Sequence, residues 1–225
     1  MDVDTDHTVA IIGGTGPQGR GLALRFALAG VPVVIGSRDA ERAERAADEL
    51  NRALSPAPDP AIRGAANTDA ARAGRIVVIT VPYEGHASLL ESLRESAAGR
   101  IVVDCVNPLG FDGRGGYAVE VPEGSAAEQA AALLPDSTVI GAFHHVSAAV
   151  LNDLARSTVD CDVMVLGEDR TAATAVADLA SCIPGMRGIY SGRLRNARQV
   201  ETLTANIVAI NRRYRTDAGI RITGV

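Results

Sequence analysis

Gly14, Gly16 and Gly19 stand in the order G-x-G-x-x-G within IIGGTGPQGRG, directly after an apolar run and directly before a helical one. This order suits a turn that holds a pyrophosphate. The first glycine permits the tight turn, the second lets phosphate approach the backbone, and the third lets the next helix pack closely. The N–H groups and positive dipole end of that helix then face the anion. A bare glycine pattern is shared with turns that hold no ligand, but a strand before it and a helix after it meet the condition for a dinucleotide fingerprint. At the end of the second apolar run, Ser37 and Arg38 occupy the place where an NAD-binding chain carries an acid for the ribose 2′-hydroxyl. A hydroxyl and a guanidinium suit a 2′-phosphate instead, and Arg42 follows one helical turn later on the same side. Asp39 has two readings: it holds a ribose hydroxyl, or it caps the helix beginning at Ala40. The set favours NADP.

Further polar groups fall at the ends of later apolar runs: Thr80 to His86 (TVPYEGH), Asn107-Pro108 and His144-His145. Adjacent strand residues point to opposite faces, so one of the paired histidines is expected to look into a cleft. It serves there as a hydrogen-bonded wall or as an acid or base; the residues alone leave both open. A metal site is not expected, because His7, His86 and the pair lack ligand spacing. Cys105, Cys161 and Cys182 are odd in number with no C-x-x-C, and read as reduced structural thiols. All 22 basic residues are Arg. With no Lys, Schiff-base catalysis, a P-loop lysine and a Tyr-x-x-x-Lys pair are excluded, and there is no G-x-S-x-G nucleophile elbow.

The elements that must position these groups alternate along the chain. HTVAIIGG, VPVVIGS, RIVVITVP, RIVVDCVNP and STVIGAFHH are short runs rich in β-branched residues. Helical patterns span 19–29, 40–54, 88–97 and 125–134, and a proline-rich loop covers 55–62. Near-continuous apolar strands separated by helices predict an α/β fold, a doubly wound parallel sheet covered on both faces. Beyond His145 come one more strand (CDVMVLG), a helix over 171–181, and a long helical stretch from about 195 to 213, forming a small C-terminal α/β extension. The chain has 225 residues and a net charge of −5, which argues against a general nucleic-acid binder. MDVDTDHT lacks the basic and apolar regions of a signal peptide, and no run is long enough to span a bilayer, so a soluble cytoplasmic protein is expected.

Taken together, GGTGPQGRGLALRFA, VVIGSR, TVPY, VVDCVNPLGF, AFHHVSA and RLRNARQVETLTANI resemble the NADPH-dependent reductases of coenzyme F420, an 8-hydroxy-5-deazaflavin, from Val9 to the carboxyl end. The last two blocks are the more discriminating. The resemblance implies a Rossmann-type NADP domain over 1–148, a segment over 149–225 that completes the deazaflavin site, and hydride transfer between NADP(H) and F420. By resemblance, Thr15, Gly16, Pro17 and Gln18 line the pyrophosphate, beside Gly14 and Gly19 of the fingerprint. Ser37, Arg38 and Arg42 take the 2′-phosphate, and Val81, His86, Asn107 and Ala148 follow the NADP trough. His144, Arg198 and Thr204 match the deazaflavin side, with Val146 as an apolar wall and Asn206 in the same block. His145, Asn206 and the longer proline loop depart from archaeal members. F420 carries a phosphodiester and a polyglutamate tail, and Arg193, Arg195 and Arg198 are cations placed to steer such a polyanion. A homodimer is expected on the same grounds. The rivals are a non-catalytic NADP(H) redox sensor and a small NADPH-dependent reductase of another acceptor; turnover of deazaflavin separates them.

Overall fold

The computed structural model describes residues 8–54 and 56–225. His7, at the start of the first expected strand, and Ser55, in the proline-rich loop, lie outside them. Among the described residues the strands are β1 (Val9–Ile12), β2 (Val33–Ser37), β3 (Arg63–Ala66), β4 (Ile76–Ile79), β5 (Ile101–Asp104), β6 (Leu109–Asp112), β7 (Gly115–Ala118), β8 (Thr138–Gly141), β9 (Cys161–Gly167) and β10 (Met186–Tyr190). The helices are α1 (Pro17–Leu28), α2 (Ala40–Ala53), α3 (Asn67–Ala73), α4 (His86–Leu93), α5 (Ala126–Leu133), α6 (Ala148–Asn152), α7 (Arg170–Ser181) and α8 (Ala197–Tyr214).

Eight strands form one sheet in the order β10-β9-β8-β5-β4-β1-β2-β3, while β6 and β7 pair as a separate hairpin. The sheet is parallel except where β9 runs antiparallel to β8. The all-apolar strands follow from burial on both faces. In β1, Val9 and Ile11 join a core with Leu22 and Phe26 on one side. Ala10 and Ile12 join a second core with Ala70 and Leu90 on the other. This is the expected doubly wound α/β arrangement, of Rossmann type. The C-terminal extension is continuous with it, since β9 and β10 prolong the same sheet. The last residues are fastened to that edge by Asp162, whose carboxylate accepts from Arg187, Arg221 and the amide of Ile222.

Four elements have little sequence signal. The segments RGAA of β3, LGFD and GGYA of the hairpin, and MRGIY of β10 are glycine-rich or only partly buried, so neither β-branched content nor alternation marks them. Helix α3 is a seven-residue helix that the proline-rich approach obscures.

Helix α6, at five residues, is too short to be stable by itself. Buried Arg25 of α1 holds it. Its guanidinium donates to the carbonyls of Leu151 (2.9 Å), Val150 (3.0 Å), Asp153 (2.7 Å) and Arg156 (2.8 Å). Asn152 reaches back to the carbonyl of Pro17 (2.9 Å), so the helix that follows the His144-His145 turn is anchored to the helix that follows the glycine turn. Replacing Arg25 with Met keeps an apolar stem but strands four carbonyls, and should lower unfolding free energy by about 3 kcal/mol. Urea denaturation measures this, and a loss below about 1 kcal/mol would mean that α6 is held by packing alone.

Candidate functional site

The strand order reverses between β1 and β4, the switch point at which an open α/β sheet leaves a crevice beyond its carboxyl ends. There a cleft of about 770 Å³ is lined on one side by Gly13, Thr15, Gly16, Ser37, Arg38 and Arg42. Asn67, Thr80, Val81, Pro82, Glu84, Gly85, Ser88, Leu89 and Ser92 line the other. The glycine turn is closed by the amide of Gly16 on the carbonyl of Gly13 (3.0 Å), with Gly13 at φ +77°. A Cβ on Gly14 would come within 2.7 Å of the Ile35 Cβ, and one on Gly19 within 2.6 Å of the Gly14 Cα. At Gly16 the nearest atom would be 3.4 Å away, so this is where the backbone lies open to a ligand. Helix α1 begins at Pro17 with no side-chain cap and no acid in its first turn. Its leading N–H groups are therefore available to an anion.

Asp39 resolves its two readings: its carboxylate accepts from the Arg42 amide (3.2 Å) as the N-cap of α2. Arg38 and Arg42 are exposed at the cleft wall, and among the described residues neither makes an ion pair. Two unpaired guanidiniums beside the Ser37 hydroxyl form a site for a phosphate dianion. Gly13, Asn67, Ser88 and Ser92 were not anticipated. Asn67 lines the cleft, while its Oδ1 is buried against Gly36 with no hydrogen-bond partner among the described residues. Only the double glycine at 13–14 carried a sequence signal for any of them.

Further along the strand ends, Asn107 follows β5 and donates its amide to the His144 carbonyl (2.7 Å). The Thr204 hydroxyl of α8 lies 3.2 Å from that carbonyl and 3.4 Å from Asn107 Oδ1, donating to one or the other. Asn107, His144 and Thr204 thus meet, although they are far apart in sequence.

Residues 8–108 match the family model described as NADP oxidoreductase, coenzyme F420-dependent. The chain is 41% identical over 222 residues to the F420-dependent NADP reductase of Methanothermobacter thermautotrophicus, covering 96% of this chain and 95% of that one. With the F420-dependent NADP reductase of Methanocaldococcus jannaschii it shares 40% identity over 221 residues, 96% of this chain and 98% of that one. The chain belongs to the F420-dependent NADP reductase family. A solved structure from Arthrobacter sp. FB24, provisionally described as such a reductase, superposes with a TM-score of 0.78 at 28% identity, covering 96% of this chain and 99% of that one.

The positions that family resemblance implied are not all brought to one place. Thr15, Gly16, Ser37, Arg38, Arg42 and Val81 line the cleft. Gly14 and Gly19 support the turn from behind, and Pro17 and Gln18 open α1. Ala148 begins α6 and is partly exposed. His86 is not among the residues that line the cleft. It is wholly buried, with Nε2 2.6 Å from Asp104 and Nδ1 2.9 Å from Gln129. Val146 lines a different cavity, of about 630 Å³, with Cys161 and Arg221. Asn206 is exposed; two residues from Thr204 on a helix, it faces away from it. Arg198 is also exposed, without an ion pair among the described residues, whereas Arg193 lies 3.5 Å from Glu168.

Neither histidine of the pair is exposed, contrary to the alternation expected of a strand. Phe143 takes φ 62°, a left-handed conformation that costs a bulky residue about 1–2 kcal/mol. The strand has ended, and both rings turn inward. Burial pushes His144 and His145 down to about 4, so both are neutral at pH 7. The His144 ring lies against the backbone of Cys105 and Val106, with no well-formed hydrogen bond to either ring nitrogen among the described residues, and His145 Nδ1 lies 3.8 Å from the Cys161 sulfur. The opposite case is Glu201 of α8, whose carboxyl burial pushes up to about 7 even though it accepts from the amides of Ala126 (3.0 Å) and Ala127 (3.1 Å).

These shifts set the pH dependence of stability. His144 and His145 bind protons in the unfolded chain but not in the native one between about pH 6.5 and 4, so stability falls as pH drops through that window. Native Glu201 holds its proton from 4.5 up to about 7, so stability falls as pH rises across that range. Because two histidines outweigh one carboxyl, these groups together should make the melting temperature climb from about pH 4.5 and level off at about pH 7. Glu201→Gln, which cannot ionise, should steepen that climb; an unchanged slope would remove Glu201 as a contributor.

Proposed function

We propose that this protein transfers a hydride between NADP(H) and the deazaflavin coenzyme F420. The observation that carries the reading is the pair of guanidiniums, Arg38 and Arg42, without an ion pair among the described residues, at the wall of a glycine-floored cleft where the adjoining acid, Asp39, is engaged as a helix cap. Gly13 to Gly16 and the start of α1 receive the pyrophosphate, and Ser37, Arg38 and Arg42 receive the 2′-phosphate. The chain must then run past Val81 toward Asn107, His144 and Thr204, where the deazaflavin is held against the nicotinamide.

When both are bound, the cofactors supply the chemistry: hydride passes from nicotinamide C4 to deazaflavin C5, a proton from solvent completes the reduced deazaflavin, and NADP+ remains. The protein's residues align rather than react. His144 is neutral and acts through its backbone carbonyl, which Asn107 and Thr204 hold, and not as an acid. Residues 1–148 serve the nucleotide, and 149–225 complete the deazaflavin side, with Arg195 and Arg198 exposed for its anionic tail.

The assay mixes the protein with NADPH and F420 and follows deazaflavin bleaching. NADPH should support it and NADH should be much poorer, while NADPH binding without bleaching would favour a sensor. Arg38→Ala should raise KM for NADPH about tenfold or more, since charge-assisted hydrogen bonds to the phosphate are lost, and leave the NADH reaction unchanged. Equal losses with both nucleotides would refute the 2′-phosphate assignment.

We also propose a homodimer in the cytoplasm. No described helix is long and apolar enough to cross a membrane. Leu203, Val208, Ile210 and Tyr214 are exposed on α8, which packs against β7, and Phe111 and Tyr117 are exposed on the neighbouring hairpin. Light scattering should give a dimer mass, and Ile210→Arg should shift it to the monomer; a monomeric wild type would dismiss the idea.

A further inference from the structure

Behind the cleft lies a buried ion pair that no part of the nucleotide fingerprint uses. His86 opens α4 and Asp104 ends β5, and both are fully buried. The protonation of His86 follows from its partners. Gln129 donates its Nε2 to Glu123 Oε2 (3.1 Å), which fixes the amide so that Oε1 faces His86 Nδ1 at 2.9 Å. An oxygen there accepts, so Nδ1 carries hydrogen. Nε2 faces the Asp104 carboxylate at 2.6 Å and must carry one too. The ring is an imidazolium. Burial opposes that charge, but the carboxylate of Asp104 and the hydrogen bonds the ring donates to Asp104 and Gln129 outweigh it and raise the pKa. The other polar groups facing it are Glu201 of α8 and the Tyr83 ring, 6.1 Å away between centroids.

The second oxygen of Asp104 accepts from the amide of Val106 (3.0 Å), the residue before Asn107. A continuous set of bonds therefore runs from the imidazolium through Asp104 to the turn over 105–107, then through the Asn107 amide to the His144 carbonyl and Thr204. Asp104 sits in register with Ile79 of β4 and Gly141 of β8, the strands that lead to Val81 and to His144. Its position is thus passed to both sides of the cleft floor.

We propose that His86 is a positioning residue for hydride transfer: clamped between Gln129 and Asp104, it holds the turn over 105–107 so that Asn107 keeps the His144 backbone and Thr204 of α8 in register. This rests on the hydride-transfer reading of the cleft. Nothing in it requires His86 to touch either cofactor.

Three measurements decide it. In the unliganded protein, 15N NMR should show both ring nitrogens of His86 protonated at about pH 7.5; a neutral ring overturns the proposal. In single-turnover stopped flow at saturating cofactors, His86→Gln should slow transfer about tenfold or more. Its NADPH dissociation constant, read by nicotinamide fluorescence, should stay within about threefold. No slowing, or equal losses in binding and transfer, would mean a merely structural pair. Asp104→Asn, which retains an acceptor for the Val106 amide, should preserve more of the rate than His86→Gln. The reverse order would locate the effect in charge and not in position. The double variant His86→Gln with Thr204→Val should be no more than about twofold slower than the slower single, because both act through one chain of bonds; multiplied effects overturn that. Should the wild type fail to bleach F420, the functional reading fails separately. The relay is then judged by the Asn107 side-chain amide resonances, which must shift in His86→Gln; unshifted signals refute it.

Discussion

Strand β1 is hydrogen-bonded on both flanks, with Ile12 in register with Gly36 of β2 and with Ile79 of β4. From it the chain must leave toward β2 and β3 and later return on the opposite side as β4, so the connections after β1 and β4 part. The cleft is the space between them. The first of those connections fits only without side chains at Gly14 and Gly19, because α1 starts in contact with the turn that precedes it. The second is fastened to the first by Thr80, whose hydroxyl donates to the Ile12 carbonyl (2.9 Å). With both edges pinned to the same strand, the cleft has a fixed floor, and the flanking elements supply only chemistry.

That chemistry is divided by charge. At the mouth, the guanidiniums of Arg38 and Arg42 and the uncapped start of α1 present positive potential; of the two acids between those arginines, Asp39 is turned into the helix as its cap and Glu41 pairs with Arg45. Toward the far end the histidines are buried and neutral, and the polar contacts are made by the amide, carbonyl and hydroxyl of Asn107, His144 and Thr204. Behind those contacts the His86 imidazolium meets Asp104, and the guanidiniums of Arg195 and Arg198 lie exposed on the outer surface. An anionic nucleotide is thus drawn in at one end, while the other end offers neutral hydrogen-bonding groups suited to aligning two rings.

The parts legible in the sequence were those whose cause is local. The glycine spacing, Ser37-Arg38 and the apolar strands each report a constraint set by immediate neighbours. Asp39 left two readings open because capping and ribose binding ask for the same side chain, and only the Arg42 amide decides. His86 carries no such local mark: its partners, Asp104 and Gln129, lie 18 and 43 residues away, so nothing near it in the sequence announces a buried ion pair. The alternation rule failed at His144-His145 because Phe143 takes a left-handed conformation that no local pattern announces. Asn206 was grouped with Thr204 by a shared block, but a helix sends residues two apart to different faces.

The rotation of α8 explains how the last third of the chain belongs to the site. Glu201 and Thr204, three residues apart, share one face. The first receives the leading amides of α5, where a carboxyl group suits the positive end of the helix dipole, and the second meets the Asn107 and His144 turn. Two polar fastenings one turn apart fix the helix about its axis, with Ala197, Val200 and Ile207 buried beside them. The apolar stripe Val200, Leu203, Ile207 and Ile210 is consequently split, and Leu203 and Ile210 are left outside. In the single chain this rotation buries Val200 and Ile207 beside the polar fastenings and leaves Leu203 and Ile210 facing out, the face on which the proposed second subunit would pack.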